Sequence, residues 1–517
     1  MNRDTDKVNS GMGDASPESA ANDTIMRESL ASETIMRESL ASETIAAIAT
    51  PGGVTQTSDT IAAIATPLGS GGIGIVRVSG PEAAAILGRL FRGAVAPAEM
   101  ESHRLYLGDV TDERGALLDR ALAVIMRAPR SYTGEDVAEL QLHGGPRVLS
   151  AALTAALACG ARLATPGEFT LRAFLNGKLD LSQAEAVADL IAAKTPRASK
   201  LAAGQLQGAL GRAVAEIERE LTAVYGAVIV GVDFPDDADA ADPEQTREAL
   251  VRLADRIRND VLSGAGLTRV VKEGVRAALV GRVNAGKSSL LNALLAEERA
   301  IVTSLPGTTR DVLEESVDLE GVPLILADTA GLRDEACADE AEQMGMERSR
   351  DKAGSAQLVL VVTDGVLGIT PEDDRLLREA GERALLLINK CDLLSEAEIA
   401  ERRRRGCAYV AAEDVICLSA KNGAGLDGLK AALRRRVLAG VDGEAASPLV
   451  ANARQEQALL RAAERLTACA EAIAAGQMLD VAAVDIGEAL DFLGEISGRT
   501  ASEEVLQHIF ANFCLGK

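Results

Sequence analysis

The chain has 517 residues, which at roughly 100–200 residues per domain is enough for three or four domains with large cores. Its 54 Lys plus Arg against 77 Asp plus Glu give a net charge of -23, which excludes a general coat of phosphate contacts. Aromatics at 2% with no Trp exclude a stacking platform for single strands; three His (His103, His143, His508) leave little room for a His-rich metal site; seven scattered Cys with no Cys-x-x-Cys pair fit reduced thiols.

The start, MNRDTDKVNSGMGD, lacks the basic and apolar regions of a signal peptide, and no apolar run reaches bilayer length, so the expected location is cytoplasmic with no membrane contact. TIMRESLASE at 24–33 repeats identically at 34–43, and TIAAIATP at 44–51 returns at 60–67. Two ten-residue copies are too few for a solenoid, and residues 1–58 are expected to be a disordered extension. From Thr60, apolar runs flank a Gly-rich turn, and strand-like runs follow at 121–128 and 137–145, predicting a small α/β domain over 59–178. Ala-rich helical periodicity then predicts an all-α region over 179–270, carrying a solvated acidic loop at 233–244. Residues 271–440 alternate strand and helix (VRAALV, VPLILAD, QLVLVV, ALLLIN, DVICLSA), the pattern of a doubly wound parallel sheet. Residues 441–517 return to helix and form a weak core alone, so they are expected to join 179–270, with the sheet domain inserted. The fold class expected is therefore multidomain, α+β and α/β.

Gly281-Arg-Val-Asn-Ala-Gly286-Lys287-Ser288 follows a strand and opens a helix, the context a phosphate-cradling loop requires. Backbone N–H groups and the helix N-terminus hold phosphate, Lys287 reaches the β and γ phosphates, and the Ser288 hydroxyl binds Mg²⁺. Asp328-Thr-Ala-Gly331 ends an apolar strand near the metal and γ-phosphate, and Gly307-Thr308-Thr309 places Thr309 to close on the Mg²⁺. Asn389-Lys390-Cys391-Asp392 and Ser419-Ala420-Lys421 choose the base: the Asp392 carboxylate accepts two N–H donors that guanine presents and adenine does not. The expected nucleotide is GTP or GDP. Leu332 stands where Ras-like proteins carry the water-orienting Gln, so hydrolysis needs another arrangement; acids at Asp334, Glu335, Asp339, Glu340, Glu342 and Glu347 are all candidates on spacing. The Arg runs 402–405 and 434–436 read as solvated helix faces.

DTIAAIATPLGSGGIGIVRVSG (59–80), SYTGEDVAELQLHGG (131–145), ATPGEFTLRAFLNGKLDLSQAEAVADLI (164–191) and the terminus IFANFCLGK, taken with GRVNAGKSSLLNAL and IVTSLPGTTRD, closely resemble the MnmE (TrmE) family of tRNA-modification GTPases over residues 59–517. The resemblance implies a homodimer whose N-terminal domain binds 5-formyl- or 5,10-methylene-tetrahydrofolate. It implies an FAD-containing partner, MnmG, in a heterotetramer or larger complex, and an aminomethyl or carboxymethylaminomethyl group added at C5 of the wobble uridine of certain tRNAs. It also implies K⁺-dependent pairing of G domains, a cation in the place of an arginine finger. Asn284, Thr303, Leu305 and Thr308 match the K⁺ positions, and Glu342, aligned backward from GMER (345–348), matches the water-orienting acid, acting beside Lys287 and Asn284. The nucleotide set carried over is Asn284, Ala285, Gly286, Lys287, Ser288, Ser289, Thr303, Ser304, Leu305, Pro306, Gly307, Thr308, Asp328, Thr329, Ala330, Gly331, Asn389, Lys390, Asp392, Ser419, Ala420 and Lys421. The matching folate positions are Arg77, Glu139, Lys178 and Lys517; a carboxylate suits a pterin's adjacent N–H donors and basic groups suit its glutamate tail. Cys514 lies in the family's terminal Cys-x-Gly-Lys, as a tail-positioning residue or a nucleophile, and Gln455 replaces a family His. The alternative, a ribosome-assembly or signalling switch, would carry an RNA-binding module such as a KH domain, and no such basic module is legible beside the G domain.

Overall fold

The computed structural model describes residues 59–67, 69–233, 242–282, 284–297, 315–327, 356–438, 449–450, 452–513 and 516. The expected extension 1–58 and residues 234–241 of the acidic loop lie outside them. The described residues form two compact units, the first from 59–66, 70–176, 502–513 and 516, the second from 67, 69 and those within 177–501.

In the first unit, β1 (Ile61–Ile64) and β2 (Ile73–Ser79) pair antiparallel around the Gly-rich turn, as the two apolar runs predict. There follow α1 (Ala83–Leu90), β3 (Phe91–Gly93), β4 (Tyr106–Thr111), β5 (Leu117–Met126), β6 (Val137–His143), α2 (Pro146–Ala158), β7 (Arg162–Leu163) and α3 (Glu168–Leu175). The sheet runs β3-β4-β5-β6-β2-β1-β7. Strand alternation sends Val76, Val78, Leu140 and Leu142 into a core with Ile86, Leu87 and Leu149, and turns Arg77 and Glu139 to the opposite face. β4 was not predicted because Gly108 interrupts its pattern; a Cβ there would meet the Arg92 carbonyl at 2.4 Å, so Gly is what lets β3 approach.

The last helix, Glu503–Ala511, belongs to this unit rather than with the helices expected to hold 441–517. Phe510 is buried and stacks at 6.5 Å from Phe174 and 5.3 Å from Phe513, and Gly167, at φ 71, would press a Cβ to 2.6 Å from the Phe510 carbonyl. Two aromatic anchors and one Gly thus set where the tail packs.

Beneath α3 lies a buried ionic network. Arg172, 1% exposed, donates to Asp59, Glu168 and Glu135, while Arg162 clamps Asp59 and Glu168 at 2.7 Å each. Burial pushes the Glu168 carboxyl up, but Arg162, Arg172 and the Thr165 N–H outweigh it and hold the group below its usual range; burial raises Asp59 too, and the same two arginines outweigh it and leave that carboxyl low as well. Carboxyls held low stabilise the fold fully above their ordinary range, and that contribution is lost as pH falls through the lower folded values. Glu168→Gln is therefore expected to melt well below the parent at neutral pH, with the gap closing as pH falls through the lowered folded value of Glu168. A gap in melting temperature that does not change with pH would contradict the network's charge state.

The second unit begins with α4 (Leu181–Ala192), α5 (Pro196–Leu206), α6 (Ala209–Asp233), α7 (Pro243–Arg256) and α8 (Ala265–Glu273). The sheet region adds β8 (Val275–Val280), α9 (Lys287–Glu297), β9 (Glu315–Leu319), β10 (Val322–Ala327), β11 (Leu358–Asp364), α10 (Pro371–Ala380), β12 (Ala384–Asn389), α11 (Glu396–Gly406), β13 (Val415–Cys417) and α12 (Leu426–Leu438). α13 (Ala453–Ala474) and α14 (Leu479–Ser497) then close a helical core with α6 and α7 around Val214, Ile217, Leu253, Leu459, Leu466, Ile486 and Leu493. Return of the chain to this bundle is secured by Arg454, which grips the Glu185 carboxylate with two bonds of 2.9 Å while Gln455 adds a third at 2.6 Å. Gln455 serves here as a buried amide donor, a task that does not require an imidazole.

The second sheet runs β13-β12-β11-β8-β10-β9, parallel except for β9. Both faces are covered, by clusters around Leu290, Leu360 and Leu429 on one side and Val359, Leu377 and Leu386 on the other, which is why its strands read as continuous apolar runs. Among the described residues no helix is long and apolar enough to cross a membrane.

Candidate nucleotide site

From β8 the chain goes to β10 on one side and returns to β11 on the other, so the carboxyl ends of β8 and β11 flank the crevice where open α/β sheets bind ligands. The loop from β8 into α9 occupies this place. Gly281, at φ 140, lies so close to β11 that a Cβ would meet the Val362 carbonyl at 2.2 Å; Gly286, at φ 94, would drive one into the Asn389 amide at 2.2 Å. Asn284 also takes a left-handed conformation, φ 65, and the turn closes with the Ala285 N–H on the Arg282 carbonyl at 3.2 Å. Such a turn aims successive N–H groups into one concavity at a helix N-terminus, a fit for phosphate. Lys287, 9% exposed, bends back over the loop and donates to the Gly281 and Arg282 carbonyls at 3.0 and 2.9 Å. Its charge therefore stands over the cradle, held by acceptors that a phosphate can replace. Ser288 and Ser289 follow in the first turn of α9.

The second part of the site is built by Asn389. Its side chain is 2% exposed; Nδ2 donates to the Ala285 carbonyl at 2.8 Å, while Oδ1 accepts from the Lys390 N–H at 2.8 Å and the Ala420 N–H at 2.9 Å. One amide thus fastens the phosphate loop, the Asn-Lys-x-Asp loop and the Ser-Ala-Lys loop together. Lys390 turns left-handed at φ 63, and Asp392 projects from the short turn Cys391–Leu393 into solvent. Ser419 is fully buried, and its Oγ is among the described side-chain atoms with no protein hydrogen-bond partner. Lys421 is exposed beside it.

Two supports were not foreseen. Asp364, at the end of β11, accepts from Lys390 Nζ at 2.7 Å; burial raises its carboxyl, but Lys390 and loop N–H groups hold it low. Arg402 donates to the Gly365 and Val366 carbonyls at 3.1 Å each, and Arg435 and Arg436 both bind the buried Asp414. Members of both Arg runs therefore brace loops rather than only facing solvent. An acid at a strand end opposite a loop Lys is the signal that could have found Asp364.

Thr303, Ser304, Leu305, Pro306, Gly307, Thr308, Thr309, Asp328, Thr329, Ala330, Gly331 and Glu342 lie outside the described residues, as do Leu332 and Cys514. In the first unit, Arg77 and Glu139 are direct partners in the β2–β6 register, with Nε to Oε1 at 2.8 Å and exposures of 16% and 13%. The Arg77 guanidinium lies 5.7 Å from both the Tyr132 and Phe169 rings and reaches the Gly516 carbonyl at 3.5 Å. Lys178 belongs to the second unit, and Lys517 is outside the described residues.

A doubly wound sheet whose β8 runs through a Gly-framed turn into a helix, with both base-reading loops tied to that turn, defines a P-loop protein that binds guanine nucleotide. Two family models match the chain, "GTP-binding protein TrmE N-terminus" over residues 60–178 and "MnmE helical domain" over residues 181–514. Curated relatives named tRNA modification GTPase MnmE include those of Chloroflexus aurantiacus, 45% identical over 475 residues, and Moorella thermoacetica, 44% identical over 484; each comparison covers 92% of this chain and 99% of the relative. The chain belongs to the MnmE family of tRNA modification GTPases.

Proposed function

We propose that this chain hydrolyses GTP in a K⁺-dependent cycle coupled to pairing of G domains in a homodimer. With an FAD-containing MnmG partner, it uses a tetrahydrofolate one-carbon unit to build an aminomethyl or carboxymethylaminomethyl group at C5 of uridine 34 in certain tRNAs. The observation that carries the reading is the Asn389 clamp, which assembles phosphate-binding and base-reading loops into one site. Ser288 and Thr309 would hold Mg²⁺, which supplies charge neutralisation at the phosphates. Asn284, with Thr303, Leu305 and Thr308, would hold K⁺, and its left-handed turn suits a carbonyl-and-amide site. Glu342 would orient the attacking water in place of the Leu332 position.

Arg77 and Glu139 suit the folate: both are partly exposed on one sheet face, and Tyr132 offers a ring beside the pair, with the buried Phe169 backing the Arg77 guanidinium. Lys178 and Lys517 would meet the glutamate carboxylates. With a net charge of -23, affinity for tRNA would rest largely on the partner. The test is reconstitution with the flavoprotein partner, under-modified tRNA, GTP, methylene-tetrahydrofolate and glycine as the amine donor, in K⁺ and in Na⁺. Modified wobble uridine and fast GTP hydrolysis are expected in K⁺ and neither in Na⁺; equal yields in the two salts would contradict the proposal.

A further inference from the structure

Cys391 and Cys417 are brought side by side at the sheet edge where the base-reading loops begin. Ile388 is the register partner of Cys417 across β12 and β13, and the Cys391 N–H donates to the Leu418 carbonyl at 3.1 Å. Cys391 Sγ donates to the Ile388 carbonyl at 3.1 Å, and both thiols are half-buried against the Ile388 and Val415 cluster. Cys391 is the residue between Lys390 and Asp392, and Cys417 lies two residues before Ser419. The Cys391 N–H bond to the Leu418 carbonyl sets the Cys391 backbone against the end of β13, one residue past Cys417, and a disulfide needs such neighbouring backbones.

We propose that Cys391 and Cys417 form a peroxide-sensitive dithiol that closes to a disulfide and, when closed, weakens guanine-nucleotide binding. The neighbouring Cys391 thiol draws the Cys417 thiol down to about 7 against the effect of burial, with the Arg403 guanidinium adding to it, so Cys417 is the attacking sulfur. Its thiolate attacks one peroxide oxygen, the O–O bond breaks, and the departing hydroxide takes the thiol proton as water, leaving a sulfenic acid. Cys391 Sγ then attacks the Cys417 sulfur; the S–O bond breaks and hydroxide leaves with the Cys391 proton as a second water. Two thiols are oxidised to a disulfide and one peroxide is reduced to two waters. An S–S bond of about 2.05 Å is far shorter than a contact between thiols, so Cys391 must move toward β13, carrying Lys390 and Asp392 with it. The effect on nucleotide rests on the guanine-site reading above; the cross-link does not.

The full chain is treated with hydrogen peroxide, its remaining thiols alkylated, and its peptides mapped without reductant; affinity for a fluorescent GDP is measured in parallel. A 391–417 cross-linked peptide two hydrogens lighter is expected, removed by dithiothreitol, together with about a tenfold loss in GDP affinity. Peroxide-treated Cys417→Ser should show neither. Oxidation without that cross-link, or a cross-link that leaves GDP affinity unchanged, would overturn the proposal. A reduced chain that binds no GDP yet forms the cross-link would instead overturn the guanine-site reading.

Discussion

Asp392→Asn is expected to lower affinity for GTP by about two to four orders of magnitude and to favour xanthosine triphosphate. The carboxylate accepts two N–H donors from guanine, and hydrogen bonds to a charged group contribute about 1.5–3 kcal/mol each. An amide offers one acceptor and one donor, which matches the N–H and carbonyl on the same edge of xanthine. Asp392 stands exposed on its turn, while its neighbour Lys390 is held by Asp364 at 2.7 Å, so the substitution changes recognition without disturbing a buried contact. Competition binding with both triphosphates reads the result; unchanged preference for GTP would remove Asp392 from the base site.

Asn389→Ala is expected to act on both nucleotide binding and folding. The substitution leaves the Ala285 carbonyl and the Lys390 and Ala420 N–H groups without the partner they now share, in a place 2% exposed. Each orphaned group costs about 1–3 kcal/mol, so a loss of about 3 kcal/mol or more is expected in stability. Affinity for GDP should fall by at least about a hundredfold as the phosphate loop separates from the base loops. Parent-like melting and affinity would show that the clamp is not what assembles the site. The two substitutions differ in kind: Asp392→Asn alters which base is bound, Asn389→Ala whether a site exists.

The sequence made the nucleotide loops legible because their chemistry is local. Gly281, Gly286 and Lys287 are one turn, and parallel strands covered on both faces leave apolar runs such as those of β11 and β12. It did not reveal β9, whose ESVDL alternates polar and apolar residues on an antiparallel edge, nor β4, broken by Gly108. Asn389 read as part of a base motif, yet its contacts reach Ala285, 104 residues away, and such a clamp appears only once β8 and β12 are in place. The Arg77–Glu139 pair needed the β2–β6 register, and the grouping of the last helix with the first unit needed the packing of Phe510 against Phe174. What spacing along the chain could not carry was contact between distant segments.

The central claim is that a guanine-nucleotide cycle in this chain drives modification of tRNA. The measurement that meets it most directly is nucleoside analysis of tRNA from cells lacking the protein, complemented by the parent chain or by Asp392→Asn. The account predicts that C5-modified wobble uridine disappears without the protein, returns with the parent, and stays absent with Asp392→Asn. Undiminished modification in the cells lacking the protein would contradict it.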